Sequence, residues 1–220
     1  MKISEKSILL FDLDGTLIDS GAGVTRAVQH SLTAVDMEKK PSLEELIVFI
    51  GPPLRGSYKK HFGFSDEQAE LAVAKFREYY SEKGVREYTP YGGIDVLLRA
   101  LHAQGKTLLV ASSKMEGYVR QIMEEMGLAD LFTCMTGSMP DGSRVSKTDV
   151  IRLALERVGV TDLNRAVLIG DSRYDVAGAR DVGMDVVGVL YGFGSRDELE
   201  EAGADVVVES VAALADFLGV

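Results

Sequence analysis

Short apolar runs that alternate with helix-like stretches are the feature that most restricts the fold of this chain. Each run has four to six residues, is rich in Val, Ile or Leu, and is followed within two residues by Gly, Ser or Asp. Strands of a parallel sheet have this composition when helices cover both of its faces. The alternation therefore predicts an α/β fold built on a doubly wound parallel sheet. The runs are residues 7–11, 107–111, 166–169, 185–190 and 205–208.

Residues 147–158 are an example of the helical stretches between the runs. Apolar residues recur there at positions 150, 151, 154, 155 and 158, which share one face of an α-helix. Ser146 provides an N-cap and Gly159 follows the last apolar position. We therefore expect a helix between these two residues.

Residues 20–88 interrupt the alternation, because they contain helical patterns only. An all-helical block that follows the first strand is typical of a cap inserted into a doubly wound core. We expect residues 1–19 and 89–220 to form the core and residues 20–88 to form the cap domain. The predicted cap helices are residues 24–35, residues 43–50 behind a Ser42–Glu45 capping box, and a third helix that begins at a Ser65–Gln68 box.

Composition and charge exclude several classes of partner. The 220 residues carry a net charge of −10 without a block of basic residues, which argues against nucleic-acid duplexes and anionic membranes. No apolar run approaches the ~18 residues of a membrane span, and the N-terminal run lacks a signal cleavage site. Cys134 is the single cysteine, so no intrachain disulfide can form. We expect a cytoplasmic monomer or homodimer, and a small phosphorylated ligand is compatible with this charge.

Polar side chains follow three of the apolar runs at the point where each run ends. The carboxyl ends of parallel strands meet at one edge of an open sheet, where ligands bind. We therefore expect these side chains to converge on one site. They are Asp12 and Asp14 after residues 7–11, Ser112 and Ser113 after residues 107–111, and Asp171 and Asp175 after residues 166–169. Lys147 lies in the sequence between the second and third of these pairs, at the start of a predicted helix.

These residue types are suited to phosphoryl transfer. Carboxylates that bind Mg²⁺ offset the charge of a nearby phosphate with that of the ion, and a carboxylate can itself form an aspartyl-phosphate. If the strand continued, the carboxylates of Asp12 and Asp14 would share a face, whereas a turn at Gly15 would aim Asp14 at the leaving oxygen. Lys147 opposes the macrodipole at its helix N-terminus, and a bound anion would relieve that conflict.

At these positions the chain resembles the haloacid dehalogenase superfamily of phosphohydrolases. The helical insert between the first two motifs resembles the cap of its first subfamily, which implies a Rossmann-like core with an inserted all-helical cap. Residues 51–55 and 141–144 resemble the branch of phosphoglycolate phosphatases and 5′-nucleotidases. The matching motifs are Asp12-Leu13-Asp14-Gly15-Thr16, then Ser112, then Lys147, and finally Gly170-Asp171-Ser172 followed by Asp175. Ser113 stands where many relatives have Asn.

The resemblance implies a Mg²⁺-dependent phosphatase that hydrolyses small phosphomonoesters through an aspartyl-phosphate. Asp12 would attack phosphorus, and Asp14 would protonate the leaving alcohol and then activate water. The other implied roles are Mg²⁺ binding by Asp12, the Asp14 backbone oxygen, Asp171 and Asp175, phosphate binding by Ser112, Ser113 and Lys147, and substrate contact from the cap by Arg55.

Other functions remain open on the same residues. A phosphomutase or phosphotransferase would need the same carboxylates and lysine, so its products alone would distinguish it. A phosphorylation-switched receiver module also places acidic residues, a hydroxyl and a lysine at strand ends, but it has no inserted helical block; an inert scaffold would have no turnover. A dehalogenase does not need the acid that Asp14 supplies. The cations Lys59, Lys114 and Arg144 are left without an assigned role, because a functional interpretation is the weaker one for each.

Overall fold

The chain divides into two compact units. The computed structural model describes residues 2–35, 37, 40–139, 144 and 146–220. The first unit comprises Met1–Ile18 and Pro90–Val220, and the second comprises Asp19–Thr89. The first unit contains a six-stranded sheet with its flanking helices, and the second contains mainly helices.

The sheet of the first unit is parallel throughout. Its strand order is β5-β4-β1-β6-β7-β8, so the chain moves outward from β1 in both directions, as a doubly wound sheet does. The α/β prediction is therefore confirmed. The strands are β1 (Ile8–Phe11), β2 (Ile18–Asp19), β3 (Thr89–Pro90), β4 (Thr107–Met115), β5 (Phe132–Ser138), β6 (Ala166–Gly170), β7 (Asp185–Val189) and β8 (Val206–Val208), of which β2 and β3 form a separate two-stranded sheet.

Strand β5 has no counterpart among the apolar runs of the sequence. It lies at the edge of the sheet and pairs with β4 alone. Its residues mix Thr, Ser and Gly with Phe and Met, and Thr133 is exposed. A strand with one strand neighbour buries less of its surface, so its apolar pattern is weaker than that of a central strand.

The helices of the first unit bury apolar faces against the sheet. Lys147–Arg157 is the helix expected from the sequence: Ser146 Oγ accepts a hydrogen bond from Asp149 N at 3.1 Å, and positions 150, 151, 154 and 155 are buried. Among the described residues, no helix is both long and apolar enough to cross a membrane. These helices are α4 (Ile94–Ala103), α5 (Glu116–Glu125), α6 (Lys147–Arg157), α7 (Arg173–Val182), α8 (Arg196–Glu201) and α9 (Val211–Leu218).

The second unit contains α1 (Gly21–Thr33), α2 (Leu54–Phe62) and α3 (Asp66–Glu82). The capping box predicted at the start of α3 is present, with both reciprocal hydrogen bonds. Tyr58 on α2 is fully buried, and its hydroxyl lies 2.5 Å from Ser31 Oγ on α1. This contact satisfies both buried hydroxyls and links the two helices.

The helix predicted over residues 43–50 is wrong. Its capping contacts do form, with Ser42 N donating to Glu45 Oε2 at 2.8 Å and Glu45 N donating to Ser42 Oγ at 3.3 Å. The chain then makes a turn and a 3₁₀ helix, Ile47–Phe49. A segment this short gains too few hydrogen bonds to offset helix nucleation, so packing decides its conformation. Here Phe49 is buried with its ring 5.0 Å from that of Tyr58.

Candidate active site

Three buried carboxylates meet at the carboxyl edge of the sheet. Asp12 follows β1, Asp171 follows β6, and Asp175 lies in the first turn of α7. β1 and β6 are adjacent, with Phe11 opposite Ile169, so Asp12 and Asp171 leave the sheet side by side. Oxygens of the three carboxylates all lie within 4.8 Å of one another. The sequence placed these residues at one edge, and the structure brings them together.

Lys147 joins this carboxylate cluster from the first turn of α6. Its Nζ lies 2.8 Å from Asp12 Oδ1 and 2.6 Å from Asp175 Oδ1, and it donates to the Ala111 carbonyl at 3.1 Å. Burial opposes its charged form, but the carboxylates of Asp12 and Asp175 outweigh burial and raise the pKa of Lys147 above its usual value. The lysine is therefore a fixed cation within the cluster.

The cluster carries more negative charge than Lys147 neutralises. Burial, together with the smaller effect of the Asp175 charge, raises the pKa of Asp12 to about 6 against the opposing effect of Lys147. Burial also raises the pKa of Asp171 well above its usual value, together with the charges of Asp175 and Asp12. The ionised forms of Asp12 and Asp171 are therefore disfavoured in the cluster, and a further cation would stabilise them.

The donor set fits Mg²⁺. Within the described part of the chain, Asp12 Oδ1 and Asp175 Oδ1 are buried and accept no well-aligned hydrogen bond, although Lys147 lies within ion-pair distance of both. Buried carboxylate oxygens without hydrogen bonds are costly unless another group compensates them. Hard divalent cations prefer carboxylate and carbonyl oxygens as ligands. Asp12, Asp171 and Asp175 offer such oxygens at one point.

Neighbouring backbone groups hold Asp171 and Asp175 in place. Phe193 N, in the loop after β7, donates to Asp171 Oδ2 at 2.7 Å. Asp175 Oδ2 accepts hydrogen bonds from Ser172 N and Ser172 Oγ, at 3.1 and 2.6 Å. Asp175 therefore caps α7 through one oxygen and meets Lys147 through the other, so its helix-capping contact does not exclude a place in the cluster.

A turn at Gly15 separates the two carboxylates of the first motif. Gly15 has φ = +78°, and a Cβ there would lie 2.0 Å from Asp171 Oδ2. Both the left-handed backbone and the close approach therefore require glycine. Because the chain turns here, Asp14 does not continue the strand beside Asp12. Its Oδ1 lies 2.8 Å from Lys114 Nζ instead.

The remaining predicted residues occupy different surroundings. Ser112 is buried in β4, where its Oγ accepts a hydrogen bond from Lys114 N at 3.3 Å, and Ser113 beside it is partly buried. Arg55 belongs to the second unit, on α2, and its guanidinium pairs with Asp66 at 3.1 Å and Glu70 at 3.3 Å. The roles of Ser112, Ser113 and Arg55 toward a substrate stay predictions.

The three cations that the sequence left without a role all form ion pairs. Arg144 lies 3.1 Å from Glu116, which also pairs with Arg157 at 3.1 Å. Burial opposes the charged form of Glu116, but these arginines lower its pKa overall. Arg144 is therefore anchored beside the start of α5, while positions 141–143 of its motif lie outside the described residues. Lys114 exposes 6 % of its side chain and pairs with Asp14, a contact that the sequence did not predict.

The chain is similar to known phosphohydrolases over most of its length. The haloacid dehalogenase-like hydrolase family matches residues 9–189. A 5′-nucleotidase from Pseudomonas aeruginosa is 40% identical over 191 residues, which are 87% of this chain and 86% of that protein. A phosphoglycolate phosphatase from Rhodospirillum rubrum is 32% identical over 222 residues, which cover 96% of this chain and 90% of that protein.

Two further comparisons concern fold and reaction type. A crystal structure described as a predicted phosphatase from Clostridium acetobutylicum is 41% identical with a TM-score of 0.92, and the match covers 96% of this chain and 97% of that one. The tyrosine-protein kinase PtkA from Mycobacterium tuberculosis is 34% identical over 215 residues, which are 97% of this chain and 72% of that protein.

Proposed function

The chain belongs to the haloacid dehalogenase-like hydrolase family, and we propose that it is a Mg²⁺-dependent phosphatase acting on small phosphomonoesters through an aspartyl-phosphate at Asp12. One observation carries the proposal. Asp12, at the end of the central strand β1, lies in a buried cluster with Asp171, Asp175 and Lys147, where a nucleophile, a cation and oxygen ligands for a metal are adjacent.

The proposed reaction has two phosphoryl transfers, first to Asp12 and then to water, and a proton transfer at Asp14 accompanies each of them. An Asp12 carboxylate oxygen attacks phosphorus, the ester P–O bond breaks with its electron pair going to the leaving oxygen, and that oxygen takes the proton of Asp14. Water then attacks the phosphorus of the aspartyl-phosphate and gives its proton to Asp14. Inorganic phosphate leaves, and the Asp12 carboxylate is restored.

The surrounding residues would hold the transferring group in line with Asp12. Lys147 provides an ammonium 2.8 Å from the nucleophile, and Ser112 lies on the neighbouring strand β4, two residues beyond the partner of Phe11. Asp12, Asp171, Asp175 and the backbone oxygen of Asp14 would hold Mg²⁺. When bound, Mg²⁺ would supply positive charge next to the phosphoryl oxygens. We further propose residues 20–88 as a cap that selects the substrate and excludes water.

The proposal predicts Mg²⁺-dependent release of inorganic phosphate. A panel with p-nitrophenyl phosphate, nucleoside 5′-monophosphates and phosphoglycolate should yield phosphate with Mg²⁺, and chelation should lower the rate at least about a hundredfold, since the metal stabilises transition-state charge by several kcal/mol. Mg²⁺ should also raise Tm without any substrate, because it binds the folded chain alone. Turnover that is unchanged by chelation would contradict the proposed reaction. A Tm that does not respond to Mg²⁺ would contradict the proposed metal site.

Phosphoryl transfer to an acceptor other than water is the second candidate. The similarity to a tyrosine-protein kinase along nearly the whole chain favours it. Both reactions use the same attack by Asp12, and they differ in what accepts the phosphoryl group. Chromatography of the products decides: hydrolysis yields inorganic phosphate in amounts equal to the alcohol, whereas transfer yields a second phosphoester.

We propose that Arg55 contributes to substrate choice from α2. Arg55→Ala should raise KM for phosphoglycolate about tenfold, which is the effect of losing one charge-assisted contact to the substrate carboxylate. KM for p-nitrophenyl phosphate, which has no carboxylate, should change less. Lys59→Ala is the matched control, because Lys59 lies on the same helix and shares the partner Asp66, at 2.8 Å. Equal changes on both substrates, or the same effect from Lys59→Ala, would exclude Arg55 from substrate contact.

A further inference from the structure

We propose that Lys114 is a positioning residue for Asp14, which it holds in the orientation needed for proton transfer to the leaving group. The inference rests on the function proposed above and assigns a residue to the proton-transfer half of the reaction. It starts from one contact: Lys114 Nζ lies 2.8 Å from Asp14 Oδ1, and the two side chains expose only 6 % and 12 % of their surfaces.

A lysine this buried requires a compensating charge. Removing an ammonium from water is costly unless a carboxylate or several acceptors replace the lost hydration. Asp14 provides such a carboxylate at ion-pair distance. Each carboxylate of the first motif thus has its own ammonium, Lys147 at Asp12 and Lys114 at Asp14, and the two lysines come from different elements, α6 and β4.

An irregularity in β4 brings Lys114 to Asp14. Between Ala111 and Met115 the strand advances four residues, while the paired residues of β5 advance only from Thr136 to Ser138. β4 therefore bulges at this point, as strands often do beside active sites. Inside the bulge, Lys114 N donates to Ser112 Oγ at 3.3 Å, so the predicted phosphate ligand also fixes the backbone of the lysine.

Gly137 on β5 lets the bulged segment approach closely. A Cβ at Gly137 would lie 2.4 Å from the Lys114 carbonyl oxygen and 2.6 Å from Glu116 N, distances that no side chain tolerates. The backbone around Lys114 is therefore packed against the neighbouring strand. A residue held in this way has few conformations, which suits a role in orienting another side chain.

The contact constrains the carboxylate that has to transfer the proton. An ammonium at Oδ1 restrains rotation of the Asp14 carboxylate about its Cβ–Cγ bond, and so sets the direction of Oδ2. A proton donor acts only within hydrogen-bond reach of the leaving oxygen. Losing the ammonium should therefore impair the step that needs the proton, and spare attack on phosphorus.

Leaving groups of different basicity test this role. The p-nitrophenolate ion leaves without a proton, whereas the alkoxide of glycerol 2-phosphate requires one. Lys114→Met should lower kcat/KM for glycerol 2-phosphate about tenfold more than kcat/KM for p-nitrophenyl phosphate, as expected when general-acid catalysis is weakened; kcat/KM is compared because it covers the reaction only as far as loss of the leaving group, before Asp14 activates water. The inhibition constant of inorganic phosphate should change less than about twofold, since the phosphate ligands are intact. Lys75→Met, at an exposed lysine of α3, controls for loss of one positive charge.

The double variant Asp14→Asn/Lys114→Met keeps the test decisive if Lys114→Met does not fold. It removes both charges, so no uncompensated carboxylate remains. If Lys114 acts through Asp14, the double variant should have the same kcat/KM as Asp14→Asn on both substrates; a further loss of kcat/KM would overturn the proposal.

The remaining outcomes are also decisive. Equal losses of kcat/KM on the two substrates would overturn the positioning role, and weaker phosphate inhibition would make Lys114 a phosphate ligand instead. A wild type without Mg²⁺-dependent turnover would overturn the proposed function itself, so the two failures are distinguishable.

Discussion

Asp12→Asn should abolish turnover, with a fall in kcat of at least about 10³-fold, as is found when a catalytic nucleophile is removed. Asparagine keeps the shape of the side chain but cannot attack phosphorus at a useful rate. Acid quenching during turnover of a ³²P-labelled monoester should leave label on the wild type, released by hydroxylamine, and none on the variant. The labelling shows whether the covalent intermediate forms, and the rise in Tm with Mg²⁺ shows whether the variant still binds the metal.

Asp216→Asn is the matched control for this substitution. Asp216 is an exposed carboxylate on α9, so the change in charge is the same without any effect on the carboxylate cluster. The control should retain wild-type kcat and labelling. If Asp12→Asn kept a tenth or more of wild-type kcat, or still took up label, Asp12 would not be the nucleophile.

Lys147→Met should have the largest effect on stability. The substitution leaves Asp12, Asp171 and Asp175 within 4.8 Å of one another without their ammonium. Breaking a buried ion pair costs about 3–5 kcal/mol, which corresponds to a Tm roughly 10 °C lower in a chain of this size. Thermal unfolding in chelator measures this difference, and kcat/KM should fall with it because the transferring phosphoryl group loses its nearest cation.

Added Mg²⁺ should raise the Tm of Lys147→Met more than that of the wild type. The variant has more uncompensated negative charge in the cluster, so it should bind the cation more tightly, and ligand binding stabilises by mass action. Lys75→Met removes an exposed ion pair with Glu78 and should change Tm little, since surface pairs contribute about 0–1 kcal/mol. An unchanged Tm in Lys147→Met, or equal responses to Mg²⁺, would mean that Lys147 does not neutralise the cluster.

The sequence predicted the strands of the first unit and the helices of the second with different success. All five apolar runs coincide with strands of the sheet, because a strand covered on both faces requires continuous apolar residues. The edge strand β5 was not predicted, because it contains no continuous apolar run. In the second unit the Ser65–Gln68 box marked a real helix, whereas the Ser42–Glu45 box did not. Capping satisfies the first turn only, and packing determines whether a short segment continues as a helix.

The sequence also predicted part of the candidate active site. Motif order at strand ends was enough to bring Asp12, Lys147, Asp171 and Asp175 together, because parallel strands and the helices that follow them share one edge of a sheet. For Asp175 the residue type alone does not distinguish a helix cap from a cluster ligand, since a carboxylate serves in both. In the structure, Asp175 Oδ2 accepts the capping hydrogen bond from Ser172 N, and Asp175 Oδ1 lies beside Lys147.

The α/β class and the convergence of the acidic residues with Lys147 could be predicted from the sequence, because they follow from local periodicity and from the geometry common to all parallel sheets. The turn of Asp14 away from Asp12 at Gly15, and the burial of Lys114 against it, could not be predicted and are known from the folded chain. Those contacts depend on a bulge in β4 and on close approach between strands, and neither leaves a periodic signal, since each is set by residues distant in the chain.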